Sequence, residues 1–352
     1  MEMQSTPPSF VERFFKVREK GSTVRTELLA GMTTFIAMAY ILFVNPNILA
    51  DAGIPKEAAI ASTIWIAALA SLAMGIFANY PVALAPGMGL NAFFAYYVCG
   101  VLGLHWTVAL GAVFFSGVLF LILTVGGIRQ AIINAVPRDL KYAISVGIGL
   151  FIAFIGLKGT GLIVENSATY VSLGHVTAPT TLLSLFGLLL TAALMARNVH
   201  GSILIGIFVT TIIAMILGMT PAPKGIPDIV STSLPHMGET FGQLDLAGAW
   251  HYGLISIIFT FTVVELFDNM GTLIGLTTKA KMVRPDGHIE NIDKALTTDA
   301  VGTMVSAMFG TSTVTSYIES AAGIAAGGRT GLTSVAAGVL FLAALLFTPL
   351  IG

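Results

Sequence analysis

Charge is what this sequence has least of. Asp, Glu, Lys and Arg together make up 10% of its 352 residues, where an average soluble chain carries about 25%. A water-soluble globular domain is thereby excluded. Cysteine is nearly absent: the single Cys99 rules out an intrachain disulfide and any Cys-rich metal motif. The six histidines, His105, His175, His200, His236, His251 and His288, fall in loops or at the ends of apolar segments, so no metal site is expected. There is no run of like charge and no basic stripe, which excludes nucleic acid as a partner. The first 25 residues are polar and charged, so no cleavable signal peptide is expected.

What the sequence has in abundance is apolar surface. Hydrophobic residues make up 55% of the chain, and its mean hydropathy is +0.89. Apolar runs of about 20 residues recur along the whole length, the mark of a polytopic helical membrane protein. Spans are expected at 26–48, 58–78, 82–99, 107–126, 140–157, 180–197, 201–219, 251–277, 295–309, 312–327 and 331–351. With the N-terminus in the cytoplasm, 14 of the 17 Lys and Arg fall inside, and only Lys56, Lys158 and Lys224 outside. That partition requires the short third and tenth segments both to cross. The expectation is a multi-pass protein of the cytoplasmic (inner) membrane with the tail, 1–25, on the cytoplasmic side. Within that tail FVERFFKVREKG is amphipathic and suits the membrane surface or a disordered lead-in equally.

Two spans are abnormal. The third, PVALAPGMGLNAFFAYY, has a short extended run, then Pro86, Gly87 and Gly89, then an aromatic half-helix expected to begin near Asn91. The tenth has the same design. GTSTVTSYIES opens with alternating Ser, Thr and Val, carries the lone carboxylate Glu319, and continues as half a helix of small residues. Irregular backbone at membrane depth is tolerated only inside protein or along a cavity. A carboxylate there is by default a functional residue. Interrupted segments in corresponding places of two halves point to a transporter binding site near the midplane, faced by both half-helix N-termini.

Span 8 supplies two more acids, Glu265 and Asp268 in FTFTVVELFDNMGTLIG, three residues apart on one helix face. Two carboxylates in an apolar helix favour a proton on at least one of them at neutral pH, which proton coupling needs. Other polar residues have simpler expected roles. Asp299 caps span 9, Lys279, Lys281 and Arg284 anchor the topology, and Asn45 and Asn47 around Pro46 end span 1. Tyr96 and Tyr97 fit an interfacial belt as well as a substrate contact.

The runs ELLAGMTTFIAMAYILFVNPNILADAG, APGMGLNAFFAY, FDNMGTLIG and GTSTVTSYIESAAGIAAGGRTGLTS resemble the nucleobase–cation symporters of the xanthine/uracil permease family. Within it they are most similar to the azaguanine-type (AzgA-like) branch of hypoxanthine, adenine and guanine permeases. The likeness covers nearly the whole chain. It implies an all-α polytopic fold, a uracil-permease-like inverted repeat of seven plus seven spans with short β stretches in spans 3 and 10. About 11 of those 14 spans are in this sequence, so it reads as C-terminally truncated. The resemblance further implies a core domain from 26–127 and 250–352 and a gate domain from 128–249, with a homodimer formed through the gate.

By motif, the resemblance places the purine site at Glu319, Asp268, Asn91 and Glu265, with Asp268 and Glu265 also handling the proton. Elementary chemistry agrees. A purine presents N–H donors that carboxylates accept and acceptors that an Asn amide can meet, and its flat ring suits stacking on Phe93, Phe94 or Tyr317. The expected function is secondary active import of purine nucleobases by proton symport, with no cofactor beyond the proton and no enzyme activity. Three other readings compete, one of them a passive channel, whose flux would be insensitive to a proton ionophore. Another is an anion transporter of the sulfate/bicarbonate kind, against which three acids argue. The third is an intramembrane enzyme using Glu265 and Asp268 as an acid pair, which lacks any accompanying nucleophile motif, metal cluster or phosphate loop.

Overall fold

The computed structural model describes residues 9–126, 137–231, 235, 237–251, 255–284 and 289–351. The boundary expected at 127/128, and His236 and His288, lie outside the described residues. The chain starts with a short helix, α1 (Phe10–Phe14), closed by a capping box between Ser9 and Glu12. Phe15 and Val17 then bury against Leu332. The Lys20 ammonium meets Glu290 at 2.6 Å and holds that carboxyl below the ordinary carboxylate range. The tail is therefore docked on loops at one end of the bundle, with Phe10 and Phe14 exposed.

Span 1 is two helices, α2 (Val24–Met38) and α3 (Ile41–Asp51), that meet at Ala39 and Tyr40. Asn45 and Asn47 do not end it, contrary to the sequence-based expectation, and Pro46 lies inside α3. The reason is local: the Asn47 amide bonds the Phe43 carbonyl at 2.8 Å, which supports the turn that Pro46 deprives of an N–H. Next, α4 (Lys56–Ala73) widens into a π-helical stretch, Met74–Ala78, and stops where Asn79 takes a left-handed conformation. The third span is β1 (Leu84–Pro86) followed by α5 (Met88–Ala92), which continues as a π-helical stretch, Phe93–Val101. Its helix starts at Met88, one turn before the expected Asn91, whose N–H already bonds the Gly87 carbonyl at 2.8 Å.

Then come α6 (Trp106–Val125), α7 (Arg138–Gly159), the hairpin β2 (Ile163–Asn166) and β3 (Tyr170–Leu173), α8 (Pro179–Ala196) and α9 (Ser202–Ile216). The remainder is α10 (Leu246–His251), α11 (Ile255–Lys279), α12 (Ile292–Phe309), β4 (Val314–Ser316), α13 (Ser320–Ala325), α14 (Gly331–Ala343) and α15 (Thr348–Ile351). Among the described residues, six helical stretches are long and apolar enough to cross a membrane. Asp299 is not a cap. It lies two turns inside α12, buried, and accepts a hydrogen bond from Asn269 of α11. The β2–β3 hairpin falls where the sequence suggested only a loop between spans.

The two broken spans meet. β1 and β4 pair antiparallel, Leu84 opposite Ser316 and Pro86 opposite Val314. The ladder is extended by Gly87 N–H to the Thr313 carbonyl at 2.8 Å and Tyr317 N–H to the Ala83 carbonyl at 3.1 Å. In lipid an unpaired peptide group is costly, so a break in one span can persist only if another segment satisfies it. Here each break satisfies the other. Around this pair α12 packs on α6, and α14 packs on α2 and α4. The α2–α14 crossing is close: a Cβ on Gly31 would lie 2.5 Å from the Thr333 carbonyl. Small residues at such crossings are how membrane helices approach one another.

Candidate functional site

A cavity of about 170 Å³ lies where β4 and the starts of α5 and α13 face α11. Each polar group on its wall is delivered by a break or a helix face. Glu319 occupies the N-cap position of α13 without capping it, so its carboxylate remains available. The Tyr40 hydroxyl, from the junction of α2 and α3, donates to Glu319 Oε1 at 2.7 Å. Across the cavity, Asp268 on α11 is open to the space, and the Thr315 hydroxyl of β4 donates to its Oδ2 at 3.3 Å. Tyr317 donates to the Pro86 carbonyl at 2.6 Å, bracing β4 against the turn that opens α5. The rest of the wall adds the hydroxyls of Thr272 and Ser316 and the apolar Met88, Leu90 and Val264, with Ile148 and Ile152 from α7.

Glu319, Asp268 and Tyr317 thus share one cavity. The other three expected residues stand behind its wall. Glu265 is fully buried and takes a 2.5 Å hydrogen bond from Thr303 of α12 and one at 3.5 Å from Ser116 of α6. Three residues of helix turn the chain by 300°, leaving Glu265 and Asp268 about 60° apart, enough to serve different neighbours. Asn91 is fully buried on α5 and donates to Asn45 Oδ1. Phe94 is buried in a cluster with Leu49, Ile54 and Val98. Phe93 packs edge-on against Phe261 at 5.1 Å between ring centres.

Several contributors are absent from the sequence-derived site. Tyr40 was the most visible of them, a tyrosine far from either end of an apolar run. Asn45 ties four elements together: it accepts from Asn91 and donates to Thr63 at 2.8 Å and Thr311 at 3.4 Å. Thr303 accepts from the Val314 N–H at 3.1 Å while donating to Glu265, so a buried carboxylate on α11 orients the hydroxyl that holds β4. Glu27, fully buried on α2, accepts from the Arg329 N–H at 3.0 Å, the Thr330 N–H at 3.2 Å and the Thr333 hydroxyl at 2.5 Å. It thereby caps the start of α14 from another helix. Among the described residues no three His, Cys, Asp or Glu side chains converge as a metal site.

The chemistry of this cavity is that of a hydrogen-bonding clamp. Two carboxylates accept, two hydroxyl-bearing aromatic side chains brace, and an apolar wall faces them. A permease family model, Xan_ur_permease, matches residues 25–352. A putative permease of Methanocaldococcus jannaschii is 53% identical over 342 residues, covering 97% of this chain and 78% of that protein. The adenine permease AdeP of Escherichia coli K12 is 44% identical over 355 residues, 99% of this chain and 77% of its own. The guanine/hypoxanthine permease PbuO of Bacillus subtilis is 42% identical over 348 residues, 96% and 78% respectively. Among solved structures, the transmembrane domain of a cyanobacterial bicarbonate transporter, BicA, superposes with a TM-score of 0.65 at 15% identity, over 93% of this chain and 86% of that domain.

Proposed function

Since the chain belongs to the Xan_ur_permease permease family, and is therefore a multi-pass membrane transporter rather than an enzyme, we propose that it imports purine nucleobases with protons. The observation that carries this reading is the pair of carboxylates, Asp268 and Glu319, lining one cavity between the two broken spans. A purine has ring and exocyclic N–H donors on its edge, and two carboxylates are acceptors suited to them. At about 170 Å³ the cavity is well below the roughly 300–1,000 Å³ of drug-sized pockets, a size for a bare base and not for a nucleoside. Relatives named as adenine and guanine/hypoxanthine permeases support the same substrate class.

In this proposal Glu319 and Asp268 grip the donors of the base, Tyr317 lies against the ring, and Asp268 carries the coupled proton. Asn91, Glu265 and Phe94 act from behind the wall, through Asn45, Thr303 and the apolar cluster around them. Transport follows from rocking of the broken-span core against α7–α9, of which α7 contributes Ile148 and Ile152 to the far wall, with the N-terminus in the cytoplasm. An anion is a poor fit for this cavity, because two carboxylates repel it. The likeness to a bicarbonate transporter, at 15% identity, extends to the fold alone.

A competition assay tests the reading. Uptake of radiolabelled hypoxanthine is measured against unlabelled adenine, guanine, xanthine and uracil, with and without a protonophore. Purines should compete, uracil should not, and the protonophore should abolish accumulation. Accumulation that persists with the proton gradient collapsed would remove the proton, and competition by uracil alone would remove the purine.

A further inference from the structure

The side of α12 turned away from the site carries a second, larger space. It is an apolar groove of about 710 Å³ between α4, with its π-helical continuation, and α12. Leu69, Ala73 and Phe77 form one wall and Val301 and Val305 the other. The small residues Ala70 and Gly302 give it depth. Among the described residues the neighbouring helices do not fill it: α7 packs on α5 and α11, and α9 on α8 and α2. In a membrane-spanning bundle a groove on this outer face opens to lipid.

Two features say which lipid. The first is length. From Asp293 to Val305 the groove follows α12 for twelve residue steps, about 18 Å at 1.5 Å each. One leaflet is half of a roughly 30 Å hydrocarbon core, so the groove matches one acyl chain entering from one side. The second is its mouth. Asp293 and Lys294 both line the groove and both are exposed, at the end of the bundle where Lys20 meets Glu290. One charge of each sign at a headgroup-level opening complements a headgroup that itself carries both.

We propose that this groove binds one phosphatidylethanolamine. An acyl chain lies between α4 and α12, the phosphate meets the Lys294 ammonium, and the primary ammonium of the headgroup donates to the Asp293 carboxylate. Phosphatidylcholine has no N–H to donate there, and phosphatidylglycerol has no cation. Each lacks half of the match.

The full chain, reconstituted in nanodiscs of equal phosphatidylethanolamine, phosphatidylcholine and phosphatidylglycerol, is released and weighed by native mass spectrometry. Retained phosphatidylethanolamine should exceed each competitor at least tenfold. Asp293→Asn and Lys294→Gln should each reduce that preference to below threefold. Leu69→Trp and Val301→Trp fill the groove from opposite walls at exposed positions, and each should abolish retention, so either suffices if the other folds poorly. Equal retention of the three lipids by the wild type, or unchanged retention in a folded Trp variant, would overturn the assignment. None of these readouts depends on what the protein transports.

Discussion

Asp268→Asn and Glu319→Gln should each reduce purine uptake by about 100-fold or more while leaving the amount of protein in the membrane unchanged. The size follows from what each change removes. A hydrogen bond to a charged partner contributes about 1.5–3 kcal/mol, and every 1.4 kcal/mol is tenfold in affinity. A carboxylate that accepts two donors from a base therefore controls about two decades or more. The amide replacement is also a donor, and it would set its own N–H against the N–H of the ligand. Both acids line the open cavity, not a helix–helix contact, so membrane insertion should survive. Radiolabelled hypoxanthine or guanine uptake, normalised to protein in isolated membranes, is the measurement. Wild-type uptake in both variants would leave the cavity without its proposed role.

Glu27→Ala is expected to act on stability instead. Glu27 is the acceptor for two backbone N–H groups and one hydroxyl at the turn from α13 to α14. Losing it leaves the Arg329 and Thr330 N–H groups without that acceptor, at about 1–3 kcal/mol each, while the Thr333 hydroxyl keeps the Glu27 main-chain carbonyl at 3.4 Å, so the loss should be on the order of 2 kcal/mol or more. Glu27→Gln keeps one acceptor oxygen and should fall between. The readout is thermal stability of the purified protein by loss of monodispersity on size exclusion. A Glu27→Ala protein as heat-resistant as wild type would mean that the turn is held by other bonds, such as Asn79 Oδ1 accepting from the Gly331 N–H at 2.7 Å.

Much of the frame was legible in the sequence because breaks in apolar spans leave composition marks. Pro86, Gly87 and Gly89 in one span and the alternating STVTS of another announce extended backbone where helix should be, and the two do form β1 and β4. Periodicity says which residues share a face of one helix, but not which face meets which neighbour. That is why Glu265 and Asp268 read as a pair, although one turns to α6 and α12 and the other to the cavity. Glu27 sits beside Arg25 and Thr26 at the start of a span and reads as an interfacial residue; only the fold brings α14 against it. Pro46 reads as a stop because the sequence does not show the Asn47 amide turning back onto the Phe43 carbonyl. Asp299 reads as a cap because its partner, Asn269, is on a different helix.

The short ladder between residues 84–86 and 314–316 is closed by main-chain atoms and held from outside by the Thr303 and Ser71 hydroxyls. The Glu319 side chain takes no part in that ladder and can change without breaking it, whereas Thr315 is buried within it. Across long descent, a lineage built this way can retune what it carries one substitution at a time, its architecture unchanged throughout.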